Sequence, residues 1–289
     1  MAEVKKIDYT IGKQIRESLQ ADCQSCFGLC CTALNIIASS DFAINKAAGT
    51  PCPNLQSDFS CQIHRNLRDQ GFKGCTVFDC LGAGQKVSQT TFHGQDWRQY
   101  PEVSEKMFRV FPIMEQLYEM IAYVAEALSY KVDSPLYNKL RLQLEKLQYA
   151  TELEADALLT IDIANYRQPV NILLLETSEQ IRQSHIAKIA NGKNSRKFDY
   201  RGVDWMGKNF VGKDLRATNL RGAYLIAANL QNADLRGVDL IGADLRDANL
   251  CGANLSTSMF LTQMQINSAQ GNHQTKLPSH LKQPSYWVD

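Results

Sequence analysis

Eight of the nine cysteines lie between Cys23 and Cys80, at the spacing of metal ligands. The ligand-type residues of this segment are Cys23, Cys26, Cys30, Cys31, Cys52, Cys61, His64, Cys75 and Cys80. Close pairs followed by further pairs, at separations that a loop can close, are typical of sites where thiolates bind a metal. Eight thiols and one imidazole can supply two four-coordinate sites. Thiolate-rich ligand sets favour zinc, iron–sulfur or copper(I) over hard cations.

Core packing is the competing explanation, because a buried free cysteine behaves as a small hydrophobe. The adjacent pair Cys30-Cys31 is a poor pattern for core packing. Structural zinc is the first choice of metal, because the segment has few large apolar residues and a metal would supply about 10 kcal/mol of folding free energy per site. The surplus of thiols over imidazole keeps iron or an iron–sulfur cluster as the alternative.

The cysteine pattern resembles the zinc- or iron-chelating cysteine-cluster family, whose hallmark is CxxCxxxCC followed by scattered C, C-x-I-[HY] and C-x4-C elements. The matching stretches are CQSCFGLCC at 23–31, CQIH at 61–64 and CTVFDC at 75–80. By motif position, the resemblance implies that the metal ligands are Cys23, Cys26, Cys30, Cys31, Cys52, Cys61, Cys75 and Cys80. His64 stands where the motif accepts another residue type, which weakens the case for it as a ligand.

Residues 101–190 carry apolar side chains at spacings of three and four, which predicts helices. The first helix follows from Met107, Val110, Met114, Leu117, Ile121, Val124 and Leu128, the second from Leu136, Leu140, Leu144 and Leu147, and the third from Ile172, Leu175, Ile181, Ile186 and Ile189. Asn191-Gly192 is the predicted C-cap of the third helix. Short connections favour an antiparallel bundle within one chain. A coiled-coil seam, and with it a homodimer, is the alternative.

From Phe198 the chain is periodic, with a large apolar residue at every fifth position. These residues are Tyr200, Trp205, Phe210, the leucines at every fifth position from Leu215 to Leu255, and Phe260. A mostly small residue precedes each by two positions, and Asp or Asn stands directly before it in eleven of thirteen units. A period of five fits neither a helix nor a flat strand. The backbone must therefore turn a corner once per unit, with the large and small residues inside and the polar residues at the turns.

This pattern resembles the A(D/N)LXX repeat of pentapeptide-repeat proteins over residues 198–260. The resemblance implies a right-handed quadrilateral β-solenoid with four repeats per coil, so that thirteen units form about three coils. Lys208 and Lys213 occupy positions that the family keeps small. An uncompensated lysine cannot be buried, so we expect the first coil to be splayed and docked against the preceding helices.

The predicted fold class is thus multidomain α + β. We expect a Cys-rich metal-binding module at 1–100, a helical bundle at 101–192, the β-solenoid at 198–260 and a C-terminal tail at 261–289. The net charge of +1 gives no global attraction to nucleic acid or to acidic membrane. No apolar run approaches the ~20 residues of a membrane span, and the N-terminal stretch lacks a signal-peptide core. We therefore expect a cytoplasmic protein, where reducing conditions disfavour disulfides.

Three functions follow from these features. The first is a non-enzymatic metal-binding protein that presents the solenoid to a protein partner, with zinc as its cofactor and iron or an iron–sulfur cluster as the alternative. The second, familiar from some pentapeptide-repeat proteins, is DNA mimicry that protects a topoisomerase; it needs an acidic rod, whereas residues 198–260 carry seven acidic and seven basic side chains. The third is a metal- or iron–sulfur-dependent redox enzyme. No motif places a catalytic residue, which favours the first function.

Overall fold

The computed structural model describes residues 8–189 and 197–287. The chain divides into two compact units, residues 1–174 and 175–289, and the boundary falls inside a long helix. The C-cap predicted at Asn191-Gly192 lies outside the described residues. The four segments inferred from composition stay a prediction.

The first hundred residues form short helices joined by loops. Helix α1 is Thr10–Ser18, α2 is Leu29–Thr32, α3 is Lys73–Val77 and α4 is Ala83–Gln85. Single 3-10 turns span Cys23–Ser25 and His64–Asn66, and a π-helical turn spans Lys86–Thr91. Isolated antiparallel bridges, Ile36 to Lys46 and Leu55 to Cys61, close two of the loops. Regular elements this short depend on side-chain contacts for their stability.

Helix α5, Pro101–Leu128, is the centre of the first unit. It is followed by α6, Ser134–Thr151, α7, Ala155–Leu158, and α8, Ile163–Ile189, and α1, α6 and α7 pack against it. Asp133 starts α6, because its carboxylate accepts the N–H of Leu136 at 2.9 Å. The apolar residues predicted for the first two helices are all buried, which confirms them. Because this seam is covered within one chain, it is not free to form a coiled-coil dimer.

The face predicted for the third helix is wrong at its start, because 63% of the Ile172 surface is exposed. Ile181, Ile186 and Ile189 are only half-buried. The buried stripe of α8 is instead Val170, Leu173, Leu174, Thr177, Ser178 and Arg182. Its second half buries polar side chains that have hydrogen-bond partners, and an apolar pattern cannot reveal such a face.

Residues 198–260 form stacked coils, which we call the repeat stack. Parallel bridges join residues twenty positions apart, from Asp199–Asn219 to Asp239–Met259, so four units complete one coil. The repeat leucines and Phe260 are buried, and so are the small residues from Ala223 to Ala253, which confirms the predicted inside and outside. The rings of Tyr200, Trp205 and Phe210 pack on one another in the first coil, with centroids 4.8 and 4.4 Å apart.

The predicted fold class is wrong. The chain is mainly helical, and no strand forms in residues 8–189 or 197–287, so the repeat stack is not a β-solenoid. Each unit places two residues in a turn and a single residue in a bridge to the next coil. A strand needs successive bridged residues along one chain, and a unit of five leaves no room for them between corners.

The first coil is not splayed. The N–H of Asn229 donates to the Lys208 carbonyl at 2.9 Å, and the N–H of Asp234 donates to the Lys213 carbonyl at 3.0 Å, so the ladder to the second coil is intact. Both lysine side chains are exposed. The first coil has a coil stacked on one side only, and its lysines reach water at the open side without loss of backbone pairing.

The other end of the repeat stack is closed by residues 262–287. Helix α9, Gln263–Ser268, begins with a capping box in which Thr262 and Gln265 bond each other's backbone N–H. The Gln265 amide also donates to the carbonyls of Leu240 and Ala243, at 2.8 Å each. Bridges then pair Asn249 with Gln270 and Asn254 with Lys276, and Trp287 packs against the same core. These contacts satisfy carbonyl groups that the last full coil would otherwise leave unpaired.

No helix in the described ranges is long and apolar enough to span a membrane.

Candidate functional site

The structure places the eight predicted cysteine ligands on the short elements of the first hundred residues. Cys23 starts a 3-10 turn, Cys30 and Cys31 lie in α2, Cys75 lies in α3, and Cys26, Cys52, Cys61 and Cys80 lie in loops or bridges. All of the cysteines, including Cys251 in the repeat stack, are free thiols. The side chain of His64 is exposed.

Backbone N–H groups point at several of the sulfur atoms. Cys26 accepts from the N–H groups of Gly28 and Leu29, and Cys80 accepts from those of Gly82 and Gly84. Cys61 accepts in the same way from Ile63. Amide donors at a sulfur stabilise its thiolate, which is the form that binds metal.

Gly84 leaves room for two of the thiols. A Cβ added there would lie 2.7 Å from the Cys26 sulfur and 3.8 Å from the Cys80 sulfur. The first distance is shorter than any real contact of a Cβ atom, so an alanine would have to displace Cys26. The absence of a side chain at Gly84 therefore allows Cys26 and Cys80 to approach the same space.

The adjacent cysteines of α2 form one sulfur pair, with their Sγ atoms 3.9 Å apart. The two thiols share a hydrogen bond, which raises the pKa of Cys30 and lowers that of Cys31. The Lys46 ammonium also lowers the pKa of Cys31. Cys31 is therefore the member of the pair that ionises first.

Burial raises the pKa of most other thiols of the segment. It raises the pKa of Cys26 to about 11 and that of Cys75 to about 12. The next causes for Cys75 are the charges of Cys31, Cys52 and Cys61, because like charges this close disfavour one another. Burial and the neighbouring thiols thus favour the protonated form of Cys26 and Cys75.

Lys46 supplies a buried positive charge beside the thiols. The residue is 5% exposed, and its ammonium donates to the carbonyls of Thr32, Leu34, Ala47 and Thr50. Burial lowers its pKa, whereas the charges of Cys52, Cys31 and Cys30 act in the opposite direction. A cation held in a polar carbonyl cage next to sulfur is suited to balancing thiolate charge.

Helix α5 and an aromatic row hold this segment in place. Phe27, Phe59, Trp97 and Phe108 contact one another in sequence through tilted and edge-to-face rings, with centroids 5.4 to 5.6 Å apart. The Trp97 indole N–H donates to the Phe27 carbonyl at 2.8 Å. Burial next to Cys80 raises the pKa of Tyr118 in α5 to about 12. The loop that carries the first cysteines is thereby anchored on a long, stable helix.

The segment thus has the donor chemistry of a thiolate metal site. Within the described ranges, no three His, Cys, Asp or Glu side chains converge closely enough to hold a metal ion. The thiols nevertheless have the chemistry that such an ion needs. Amide donors act on Cys26, Cys61 and Cys80, and the missing side chain of Gly84 leaves space for the Cys26 and Cys80 sulfurs. Metal binding itself stays a prediction.

A second polar site, which the sequence did not suggest, lies between α8 and the repeat stack. Asp239 is fully buried; its carboxylate accepts the N–H of Ile241 at 3.0 Å and a hydrogen bond from Ser178, and it lies 3.6 Å from the Arg221 guanidinium. Burial raises its pKa, and these partners together with Arg182 offset the shift only in part. Asp239 stands at a regular Asp position of its repeat, so only the packing of α8 distinguishes it.

The Asp and Asn residues of the repeats are the bridged residues of the coils, and each begins the turn that follows it. Their side-chain oxygens accept the N–H two residues ahead, at 3.0 to 3.3 Å, as in Asx turns. In four units, an arginine two positions on pairs with the same aspartate: Asp199–Arg201, Asp214–Arg216, Asp234–Arg236 and Asp244–Arg246. The outer surface therefore alternates in charge.

Comparison with known proteins agrees with this geometry over the repeats. Residues 209–256 match the family of pentapeptide repeats in eight copies. This part of the chain consists of pentapeptide repeats. The uncharacterized protein YybG of Bacillus subtilis (strain 168) is 50% identical over 175 residues, which cover 61% of this chain. The chain spans 63% of the length of that relative.

Solved structures with similarity to the chain are also pentapeptide repeat proteins. Rfr23 of the cyanobacterium Cyanothece 51142 is 31% identical, with 27% of this chain and 53% of that chain covered and a TM-score of 0.25. A pentapeptide repeat protein of Nostoc Pcc 7120 is 24% identical, with 37% and 87% covered and a TM-score of 0.17. One from the Arabidopsis thaliana thylakoid lumen is 30% identical, with 28% and 59% covered and a TM-score of 0.15.

Proposed function

We propose that the protein is a non-enzymatic interaction protein in which a thiolate-bound metal folds the cysteine segment and the pentapeptide repeats present a surface to a protein partner. The observation that carries the metal is the space beside Gly84, which the sulfurs of Cys26 and Cys80 both approach and where backbone N–H groups form hydrogen bonds with both thiols. Such hydrogen bonds are the usual surroundings of metal-bound sulfur, where they orient the ligand and stabilise its charge.

The metal would supply stability where the segment has little else. The ligands span the chain from Cys23 to Cys80, and closing loops of this length costs entropy. Metal–thiolate bonds offset that cost only in the folded state, so binding and folding are coupled. Zinc is the metal we propose, and iron or an iron–sulfur cluster is the alternative with the same ligand chemistry.

The repeats support the interaction role. Stacked repeat units build an extended surface from identical elements, and such surfaces commonly bind proteins. On this stack, Met206, Val211 and Tyr224 are exposed among the charged pairs. Large apolar side chains on a polar surface are typical of the centre of a protein interface.

The charge pattern argues against DNA mimicry. Four of the outward aspartates lie within 2.9 Å of an arginine two positions away, so their charge is compensated at the surface. A mimic of duplex DNA must instead present uncompensated negative charge at short, regular intervals. We therefore do not propose topoisomerase protection as the function.

Metal analysis of the full chain tests the proposal. The protein is purified under reducing, chelator-free and anaerobic conditions, and its bound metal, labile sulfide and visible spectrum are measured. We expect metal in the parent and in Cys251→Ser, the matched control outside the segment, and its loss in the double variant Cys30→Ser, Cys31→Ser. Limited proteolysis should then cut residues 20–95 of the double variant only. A metal-free parent that resists protease over these residues would contradict the proposal.

A further inference from the structure

The cysteines divide into two spatial groups that the linear sequence does not show. The first group, which we call the core group, surrounds the small hydrophobic core of the cysteine segment. Cys52 is buried there with Leu67 and Phe72, and Cys31, Cys61 and Cys75 pack against the same cluster. The backbone ties three of these positions together, because the N–H of Cys52 donates to the Cys31 carbonyl at 2.9 Å and Cys61 is bridged to Leu55. Four thiols, from α2, from α3 and from the chain between these helices, thus share one cluster.

The remaining four cysteines of the segment are Cys23, Cys26, Cys30 and Cys80. Cys26 and Cys80 face each other across Gly84, whose missing Cβ leaves space for both sulfurs. Cys30 is the neighbour of Cys31 in α2, and Cys23 lies in the 3-10 turn that packs against α4, the helix of Gly84. The N–H of Asp22, directly before Cys23, donates to the Gln85 side chain of α4 at 3.0 Å. Cys30 and Cys31 join the two groups, because consecutive residues of a helical turn point in directions about 100° apart.

The charge environment differs between the two groups. The buried Lys46 ammonium interacts with Cys31 and Cys52 of the core group, and with Cys30 at the junction. The other group has amide donors at Cys26 and Cys80, whereas the core group has one at Cys61. A divalent ion with four thiolates carries a net charge of about −2, which must be balanced when it is buried. Each group thus has its own means of stabilising that charge.

We propose that the segment holds two divalent, thiophilic metal ions in separate four-thiolate centres. The centre we call A consists of Cys23, Cys26, Cys30 and Cys80, and centre B consists of Cys31, Cys52, Cys61 and Cys75. This inference rests on the proposed function, since it assigns the ligands of the metal proposed there. Binding draws the sulfurs of each group together, to the ~2.3 Å metal–sulfur distance of zinc sites.

The test counts metal ions per chain by native mass spectrometry of the full-length protein, prepared apo and reloaded with zinc under reducing conditions. We expect two ions in the parent and in the Cys251→Ser control. We expect one ion in Cys23→Ser, Cys80→Ser, which removes two ligands of centre A. One ion should likewise remain in Cys61→Ser, Cys75→Ser, which removes two ligands of centre B.

The outcomes separate this inference from the proposed function. A parent that binds one zinc ion, or that is isolated with iron and stoichiometric labile sulfide, overturns the two centres while the segment remains a metal site. Loss of both ions in either double variant also overturns them, because separate centres empty one at a time. A parent that binds no metal refutes the proposed function itself. The parent's stoichiometry decides between one and two ions even if a variant fails to fold.

A further pair of variants distinguishes the centres without removing a ligand. Lys46→Met should weaken the binding of one of the two zinc ions to a competing chelator by about tenfold or more and leave the other unchanged. Gly84→Ala should do the same to the ion of centre A, because its Cβ would displace the Cys26 sulfur. If both substitutions weakened the same ion, the assignment of ligands to the two centres would be wrong.

Discussion

The substitution Leu235→Asp should unfold the repeat stack at neutral pH and spare it at acid pH. Leu235 is 1% exposed, in the middle coil of its column, with Leu215 and Leu255 at the equivalent positions of the neighbouring coils. The backbone is fixed on both sides, since the N–H of Leu215 donates to Asp234 and that of Leu235 donates to Asn254, at 2.9 Å each. The site is thus unable to relax around a smaller or charged side chain.

Two costs contribute to the destabilisation. The loss of a buried leucine side chain costs about 2–5 kcal/mol in the free energy of unfolding. The new carboxyl group must in addition stay protonated inside the stack, and since its ordinary pKa is about 3.9, this costs about 4 kcal/mol at pH 7. The sum approaches the whole stability of a typical domain, about 5–15 kcal/mol.

The pH dependence separates the two costs. The buried carboxyl has a raised pKa in the folded state, so its penalty is absent below the unfolded pKa near 4 and grows by about 1.4 kcal/mol per pH unit above it. Leu235→Asn is the matched control, because it has nearly the same shape and size and does not titrate. The two variants should be equally stable near pH 4 and should differ by about 4 kcal/mol at pH 7.

Hydrogen exchange followed by mass spectrometry measures this difference on the stack itself. The protection of amides that bridge the coils around residues 229–250 is compared in the parent and both variants at each pH. At pH 7 the Asp variant should exchange about a thousandfold faster than the Asn variant. Equal protection of the two variants at pH 7, or parent-like protection of the Asp variant, would show that this position is not inside the stack.

Three further predictions concern the second unit. Gly237→Ala should lower the melting temperature of the second unit more than Gly242→Ala does. Both glycines have positive φ, but only the Cβ at Gly237 would lie 3.0 Å from the His185 ring. Equal shifts in melting temperature would mean that this contact does not constrain α8. Asp239→Asn should gain stability relative to the parent as the pH rises from about 4 to 7, because the buried carboxyl has a raised pKa and its charged form is costly above the unfolded pKa. Chemical unfolding of both proteins at the two pH values measures the difference. A relative gain of the variant towards acid pH would contradict the raised pKa. The full chain should fail to rescue DNA gyrase from a quinolone in a supercoiling assay, because four surface aspartates of the repeats are paired with arginines. Rescue would support the DNA-mimic function.

The sequence alone determined the inside and outside of the repeats and of the first two long helices. A recurring leucine every five residues, or every three and four, is a local pattern, and burial of apolar surface selects the arrangement in which all of them face inward. The buried Leu220 and Leu240 in the repeats, and Met114 and Leu117 in α5, follow from this rule. The same periodicity did not predict the secondary structure of the repeats, because it does not reveal that single bridges, and not strands, join the coils.

Only the tertiary structure decided which residues, far apart in the sequence, contact one another. Nothing local in the sequence indicates that Cys80 faces Cys26 across Gly84, or that Cys75 joins the cluster of Cys52. The buried carboxylate of Asp239 differs from its repeat equivalents only because α8 covers it. Loop closure brings such residues together through packing at both ends of the loop, so their grouping depends on the whole fold and cannot be derived from their spacing.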